Sequence, residues 1–320
     1  MKRDLLLIAL FALALAALTA ATSSGVALNA ITMTLYAALL AQAWNILGGF
    51  GGQFSFGHAL FFGVGAYASA VAQVAHGLNA WPALALAVAA AALVGLFVGA
   101  LAFRYGLKGS YFALVTLAFA EVFRILAVSV EFTGGGVGMM LPLKPSSMHL
   151  QFVSRHGYIA VIGGFVVAAL LLTAWLRHSR FGAQLQAVRD NEDAARAIGV
   201  DPYRTKLVAT GLSAAFMGAA GAFYLQMYQY IDPGIVFGPA VSVEALVGAI
   251  VGGLGTLWGP LLGAVVLHTL AETTRNLFGN LPGLNMVIYG SVLVLIVLFV
   301  PRGLSGVGRS VRDLWKGRRG

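Results

Sequence analysis

Apolar residues run along this chain in nine long stretches, 5–21, 26–47, 54–75, 82–103, 109–130, 158–176, 207–230, 241–271 and 284–300, parted by short polar segments. A helix rises 1.5 Å per residue, so about 20 apolar residues cross the hydrocarbon of a bilayer. Most of the stretches have that scale, and no soluble domain fits between them. The pattern predicts an all-α polytopic membrane protein, one transmembrane domain over residues 1–320. Stretch 241–271 is the outlier, because 31 residues make about 46 Å of helix against a core of about 30 Å. It is interrupted by "GGLGTLWGP", Gly252 to Pro260, where five residues are Gly or Pro, a composition suited to a tight turn or a re-entrant hairpin. A second glycine-rich break, "LGGFGGQFSFGH", runs from Leu47 to His58. Paired broken segments in the two halves of a transporter mark substrate sites, whereas scattered glycines also serve helix packing.

Composition sharpens this picture. Of the 320 residues 59% are hydrophobic and 10% charged, where a soluble domain carries about 25% charged residues. The net charge of +9 is distributed as a topology signal, not as a nucleic-acid surface. Sixteen of the 20 Lys and Arg fall in four places: Lys2 and Arg3, Arg104 and Lys108, six between Arg177 and Lys206, and six between Arg302 and Arg319. Under the positive-inside rule these four are cytoplasmic, including both termini and the basic tail 302–320. An even number of crossings follows, so 241–271 counts twice and about ten segments are expected. The first stretch follows a basic start and ends in small residues, as a signal peptide would, but a second apolar stretch follows at once and an uncleaved span is the plainer reading. Without cysteine, disulfides and thiol chemistry are excluded.

The most polar segment is the loop 177–206, with six basic and four acidic residues. Phe181, Leu185 and Val188 fall at helical spacing. In "RDNEDAARAIG", Arg189 to Gly199, a second short helix is expected, with Asp190 as cap, Asp193 as in a capping box, Arg196 in the last turn and Gly199 as terminator. Ala194, Ala195 and Ile198 would form a small apolar strip. A helix bound to the lipid surface carries bulky apolar anchors and excess Lys or Arg. This one has alanines and an acidic first turn, which points to a protein groove as its seat.

Ionisable residues inside the apolar stretches are costly, at about 2.5–3.5 kcal/mol each on a lone helix. Glu121 and Arg124 share a helical face and are expected to face the protein interior as a pair, either as a pathway site or as a local tether. Glu244 has no local basic partner, and His58 and His268 are isolated. Gln53, Ser55 and His58 cluster at the first break, where a half-helix N-terminus would favour a carboxylate. The external loop 131–157 holds Phe132, Met139, Met140, Leu141 and Leu143, more apolar than a free linker, and could cover the pathway mouth or meet a soluble protein.

Enzyme signatures are missing. There is no phosphate-binding Gly-x-x-x-x-Gly-Lys-Ser/Thr loop, no His-Glu-x-x-His and no Gly-x-Ser-x-Gly. Any ATP would be hydrolysed elsewhere.

Four segments carry a family resemblance: Leu47 to Ala70, Gly109 to Met140, Arg180 to Tyr224 and Val247 to Leu267. Together they resemble the permeases of branched-chain amino acid ABC importers, with the closer likeness to the LivM-type subunit. In that family a Glu-Ala-Ala, three residues, Gly pattern marks the loop that couples to the ATPase. Asp193, Ala194, Ala195 and Gly199 occupy it here, with Asp in place of the leading Glu and without the Ile-x-Leu-Pro continuation of other importer classes. The resemblance implies a coupling helix involving Arg189, Glu192, Asp193, Ala194, Ala195, Ile198 and Gly199. It implies two cytoplasmic ATPase subunits that use ATP and Mg, a homologous second permease and an extracytoplasmic solute-binding protein. The chain itself would bind no cofactor and would lie in the inner membrane. Relatives of the family are described for urea and small carboxylates too, so the solute stays open. The residues alone also leave an ion-coupled secondary transporter, motivated by Glu121, Arg124 and Glu244, and a passive channel.

Overall fold

The computed structural model describes residues 1–278 together with 287–288, 290–291, 294 and 303–306. Most of the stretch 284–300 and of the tail 302–320 therefore lies outside the described residues. The other apolar stretches form helices within a few residues of the expected bounds: α1 (Lys2–Ala21), α2 (Gly25–Trp44), α3 (His58–Val74), α4 (Ala80–Arg104), α5 (Gly109–Ser129) and α6 (Arg155–His178). After α6 come the short α7 (Arg180–Asp190) and α8 (Glu192–Ala197), then α9 (Pro202–Tyr228), α10 (Pro233–Val236), α11 (Pro239–Gly252) and α12 (Gly259–Phe278). Seven of the described helical segments are long and apolar enough to span a membrane, whereas about ten crossings were expected. Part of the difference lies in α3, whose 17 residues are shorter than a full span because the glycine-rich break precedes it, and the expected span 284–300 falls largely outside the described residues.

Helix starts follow side-chain capping. Ser24, Ser154, Ser179, Asn191, Asp201 and Asp232 each accept a hydrogen bond from a backbone N–H of the first turn, satisfying groups that the helix itself leaves unpaired. Pro202 and Pro233 stand at the first helical position, where the missing N–H costs nothing.

The core lies where α3, α4 and α9 meet, and small residues bring it together. A Cβ at Gly65 would sit 2.4 Å from the Gly218 Cα, and one at Gly221 would sit 2.1 Å from the Phe62 carbonyl oxygen. Backbone contact of this closeness supplies the dispersion that holds helices in lipid, where the hydrophobic effect between helices is lost. Stretch 241–271 is divided as expected. α11 and α12 pack on each other across the break 253–258, close enough that a Cβ at Gly263 would lie 2.0 Å from the Gly248 oxygen.

The basic clusters gather at one end of the bundle. Asp4 of α1 accepts from Arg177 at 3.2 Å and pairs with His178 at 3.0 Å. Glu192 joins Lys108 and Lys206 at 3.0 and 2.9 Å. At the opposite end Trp81 donates to the Ser147 carbonyl at 3.1 Å and Arg155 pairs with Asn29. There the loop 131–157 is built from three short turns and a strand β1 (Met139–Met140), which pairs antiparallel with β2 (Tyr230–Ile231). Met139 and Leu141 are buried, while Phe132, Met140 and Leu143 are exposed.

Candidate coupling and pathway site

The polar loop folds into two helices with distinct duties. α7 is held down on α6 so tightly that a Cβ at Gly182 would lie 1.6 Å from the Leu176 carbonyl oxygen. It buries Leu185 in a cluster with Ile46, Leu47 and Phe50 of the first glycine-rich break. Val188 is also buried and Phe181 half-buried, as their spacing implies.

The capping of α8 differs from the expectation. Asn191, not Asp190, is the cap, its Oδ1 accepting from the Asp193 and Ala194 N–H groups at 3.0 Å each. Asp190 completes α7, which leaves the extended backbone of Asn191 free for the capping role. Asp193 consequently pairs with Arg196 at 3.4 Å and closes no capping box. Gly199 does end the helix with φ +88°, the left-handed conformation that lacks a penalty only in glycine.

Ala195 is a second correction. It is 2% exposed, turned into its own chain, while Ala194 is exposed and Ile198 is 76% exposed. A six-residue helix resting on the bundle has one inner face, and within it residues three apart share that face. Glu192 and Ala195 take it and Ala194 lies outside, while Ile198, just past the last helical residue, leaves the helical path and is exposed.

Glu192 ties α8 to the membrane helices. Its Oε1 lies 2.9 Å from Lys206 Nζ and its Oε2 3.0 Å from Lys108 Nζ. Lys206 is 1% exposed and its ammonium sits 4.7 Å from the centre of the Phe103 ring, a cation–π contact that adds to the pair. Burial by itself would push the Glu192 carboxyl up, but hydrogen bonds and charge from Lys206 and Lys108 hold it below its ordinary value.

Arg189 reaches the other way. Its Nη1 donates to the Gly49 carbonyl at 3.1 Å, at the point where the two glycine-rich breaks meet. There Asn45 donates to the Thr256 carbonyl at 3.1 Å and accepts from the Gly255 N–H at 2.8 Å, and Gln42 donates to the Leu257 carbonyl at 2.8 Å. A Cβ on Gly49 would lie 2.6 Å from the Gly255 nitrogen. The breaks thus form a single seam, stitched by the amides of Gln42 in α2 and of Asn45 just past it, and closed by an arginine from the polar loop.

The expected pathway residues fall in three different places. His58, Ser55 and Gln53 are packed beside the seam. The Ser213 hydroxyl donates to the Ala43 carbonyl at 2.7 Å, so His58 Nε2, 2.9 Å away, must donate to Ser213, leaving Nδ1 to accept from Ser55 at 3.1 Å. The α3 N-terminus that could have met a carboxylate is engaged, the Ala59 N–H donating to Ser242 at 2.8 Å. Glu121 and Arg124 do pair, at 2.9 and 2.6 Å, but they do not face the interior of this chain. Their side chains are 51% and 35% exposed, because α5 buries only the face carrying Phe112, Ala113, Thr116, Ala120 and Ala127. Glu244 lines a cavity between α11, α12 and α2.

Gln42, Asn45, Thr256, Lys108 and Lys206 escaped the sequence reading. Lys206 lies two residues from Arg204 in the same helix, so spacing did not single it out, and the amides of Gln42 and Asn45 look ordinary at the end of an apolar run.

The described residues form a polytopic helix bundle with paired glycine breaks and a bare helix at one end, an architecture suited to a membrane transport subunit. The profile of the family described as the permease component of branched-chain amino acid transport systems matches residues 26–297, and the chain belongs to that family. It is 30% identical to the high-affinity branched-chain amino acid transport system permease protein LivM of Escherichia coli K12, over 99% of this chain and 78% of that one. LivM of Salmonella typhimurium is likewise 30% identical, over 90% of this chain and 72% of that one. LivH of Escherichia coli K12 is 25% identical, over 87% and 94%. The protein is a multi-pass membrane permease and not an enzyme.

Proposed function

We propose that this chain is one of two permease subunits of an ATP-driven importer for branched-chain or related amino acids, working by alternating access. The observation that carries the reading is the two-sided coupling loop. The outer face of α8 is bare at Ala194 and Ile198, its inner face is locked to α9 and the α4–α5 turn, and Arg189 of the adjoining α7 grips the seam of broken helices. A cytoplasmic ATPase seated on α8 would move the seam through these contacts, with ATP and Mg bound by the ATPase pair. The common location of three basic clusters supports a cytoplasmic position for that end. LivM and LivH of Escherichia coli K12 are both permease proteins of a high-affinity branched-chain amino acid transport system, which supports pairing with a homologous second permease. An extracytoplasmic binding protein would deliver the solute at the end formed by the loop 131–157.

An ion-coupled transporter is the second reading, and the unpaired Glu244 is what favours it. Detergent co-purification of the tagged chain with the ATPases of its own cell separates the two. Wild type should retain an ATPase, and Ile198→Asp, which changes only an exposed side chain, should lose it. A wild-type chain free of ATPase under several mild detergents would favour the ion-coupled alternative.

A further inference from the structure

A cavity of about 370 Å³ lies between α2, α11 and α12, within the range of small-ligand sites, roughly 300–1,000 Å³. Its walls are short and apolar: Ala37, Val247, Ala264 and Leu267. Two side chains break that pattern. Glu244 enters from α11 and His268 from α12. Among the described residues Glu244, which this chain leaves exposed at the edge of the cavity, has neither a hydrogen-bonding nor an ion-pair partner. His268 Nε2 is buried and makes no hydrogen bond. Within the apolar stretches Glu121, by contrast, is matched by Arg124. A lone carboxylate at membrane depth costs about 2.5–3.5 kcal/mol by the insertion scale, and an unpaired buried ring nitrogen costs about 1–3 kcal/mol more. Neither group packs into a contact that would offset this.

We propose that this cavity is a binding site for a small zwitterion: Glu244 takes its ammonium, His268 Nε2 donates to its carboxylate, and the alanine, valine and leucine walls take a short aliphatic side chain. The site is on the seam-forming hairpin, since α11 and α12 are the two arms of the break at 253–258. Movement of that break would alter the spacing between Glu244 and His268, which gives the coupling loop a means of changing affinity. The assignment rests on the transport reading, because it makes the cavity a station for the transported solute.

Its test uses the whole complex in liposomes and the hydrophobic reagent dicyclohexylcarbodiimide, which modifies protonated carboxyl groups in apolar surroundings. Modification of Glu244 is read by mass spectrometry, with Glu244→Gln as the blank. At leucine ten times over its dissociation constant, site occupancy should slow labelling of Glu244 about tenfold. The 2-oxo analogue of leucine, which keeps the carbon skeleton and carboxylate but lacks the ammonium, should protect far less. Equal protection by both compounds, or by neither, would overturn the assignment. Uptake by the same vesicles is measured in parallel, and uptake indifferent to ATP would overturn the importer reading on its own, leaving the labelling to judge the cavity.

Discussion

Lys206 concentrates the energetics of the polar loop 177–206 in a single side chain. A buried ammonium needs its charge matched, and Glu192 at 2.9 Å with the Phe103 face at 4.7 Å does so. Because the folded carboxyl of Glu192 is held below its ordinary value of 4.5, its contribution is present above that value and is lost as the pH falls through the folded one. Lys206→Met removes the first of the stabilising partners, so burial should drive the Glu192 carboxyl upward. We expect the variant to release the ATPase at a higher pH than wild type in a pull-down across pH 4 to 7. At neutral pH, uptake per ATP should fall about fivefold or more, the lower range of a coupling energy. An unchanged pH of release would show that the pair does not seat α8. Much at this scale was hidden from the sequence. The separation of Lys108 and Lys206 from Glu192 along the chain gave no hint that one carboxylate serves both, and the inward turn of Ala195 depends on which face of a six-residue helix meets the bundle. Gly199, in contrast, was legible because only its backbone freedom mattered.

Helices and breaks were the most legible elements. Apolar run length set α1 to α6 and α9 within a few residues, and the Gly and Pro content of 252–260 located the turn between α11 and α12. What sequence could not show was that this turn meets the other break. That contact depends on Asn45 and Gln42, whose amides satisfy backbone groups more than 200 positions away. The glycines of the hairpin have a steric reason that can be tested. A methyl at Gly263 would lie 2.0 Å from the Gly248 carbonyl oxygen, so Gly263→Ala must part α11 from α12. Forced overpacking costs about 1–3 kcal/mol, and thermal unfolding in detergent should record a lower midpoint for Gly263→Ala than for an alanine at Gly164, where nothing lies within 4 Å. Equal midpoints would mean that the hairpin is looser than its backbone contacts indicate.

At the scale of the whole molecule, charge and glycine do separate jobs. Basic clusters collect at one end, while glycine-lined contacts let the helices approach and leave two broken helices in touch at the seam. The outward-facing Glu121–Arg124 pair shows why a single chain misleads at this scale. Sequence logic places intramembrane charge inside a bundle, yet α5 presents that pair on a face this chain leaves uncovered, as a subunit that completes its bundle with a second permease would. The central claim is that energy enters through α8 from ATP. It is tested most directly by uptake of labelled leucine into liposomes that hold the assembled complex and binding protein, with ATP on the side of α8 and no ion gradient. The account predicts accumulation that requires hydrolysable ATP and stops when α8 is altered at Ile198. Accumulation that proceeds without ATP and follows an imposed ion gradient would contradict it.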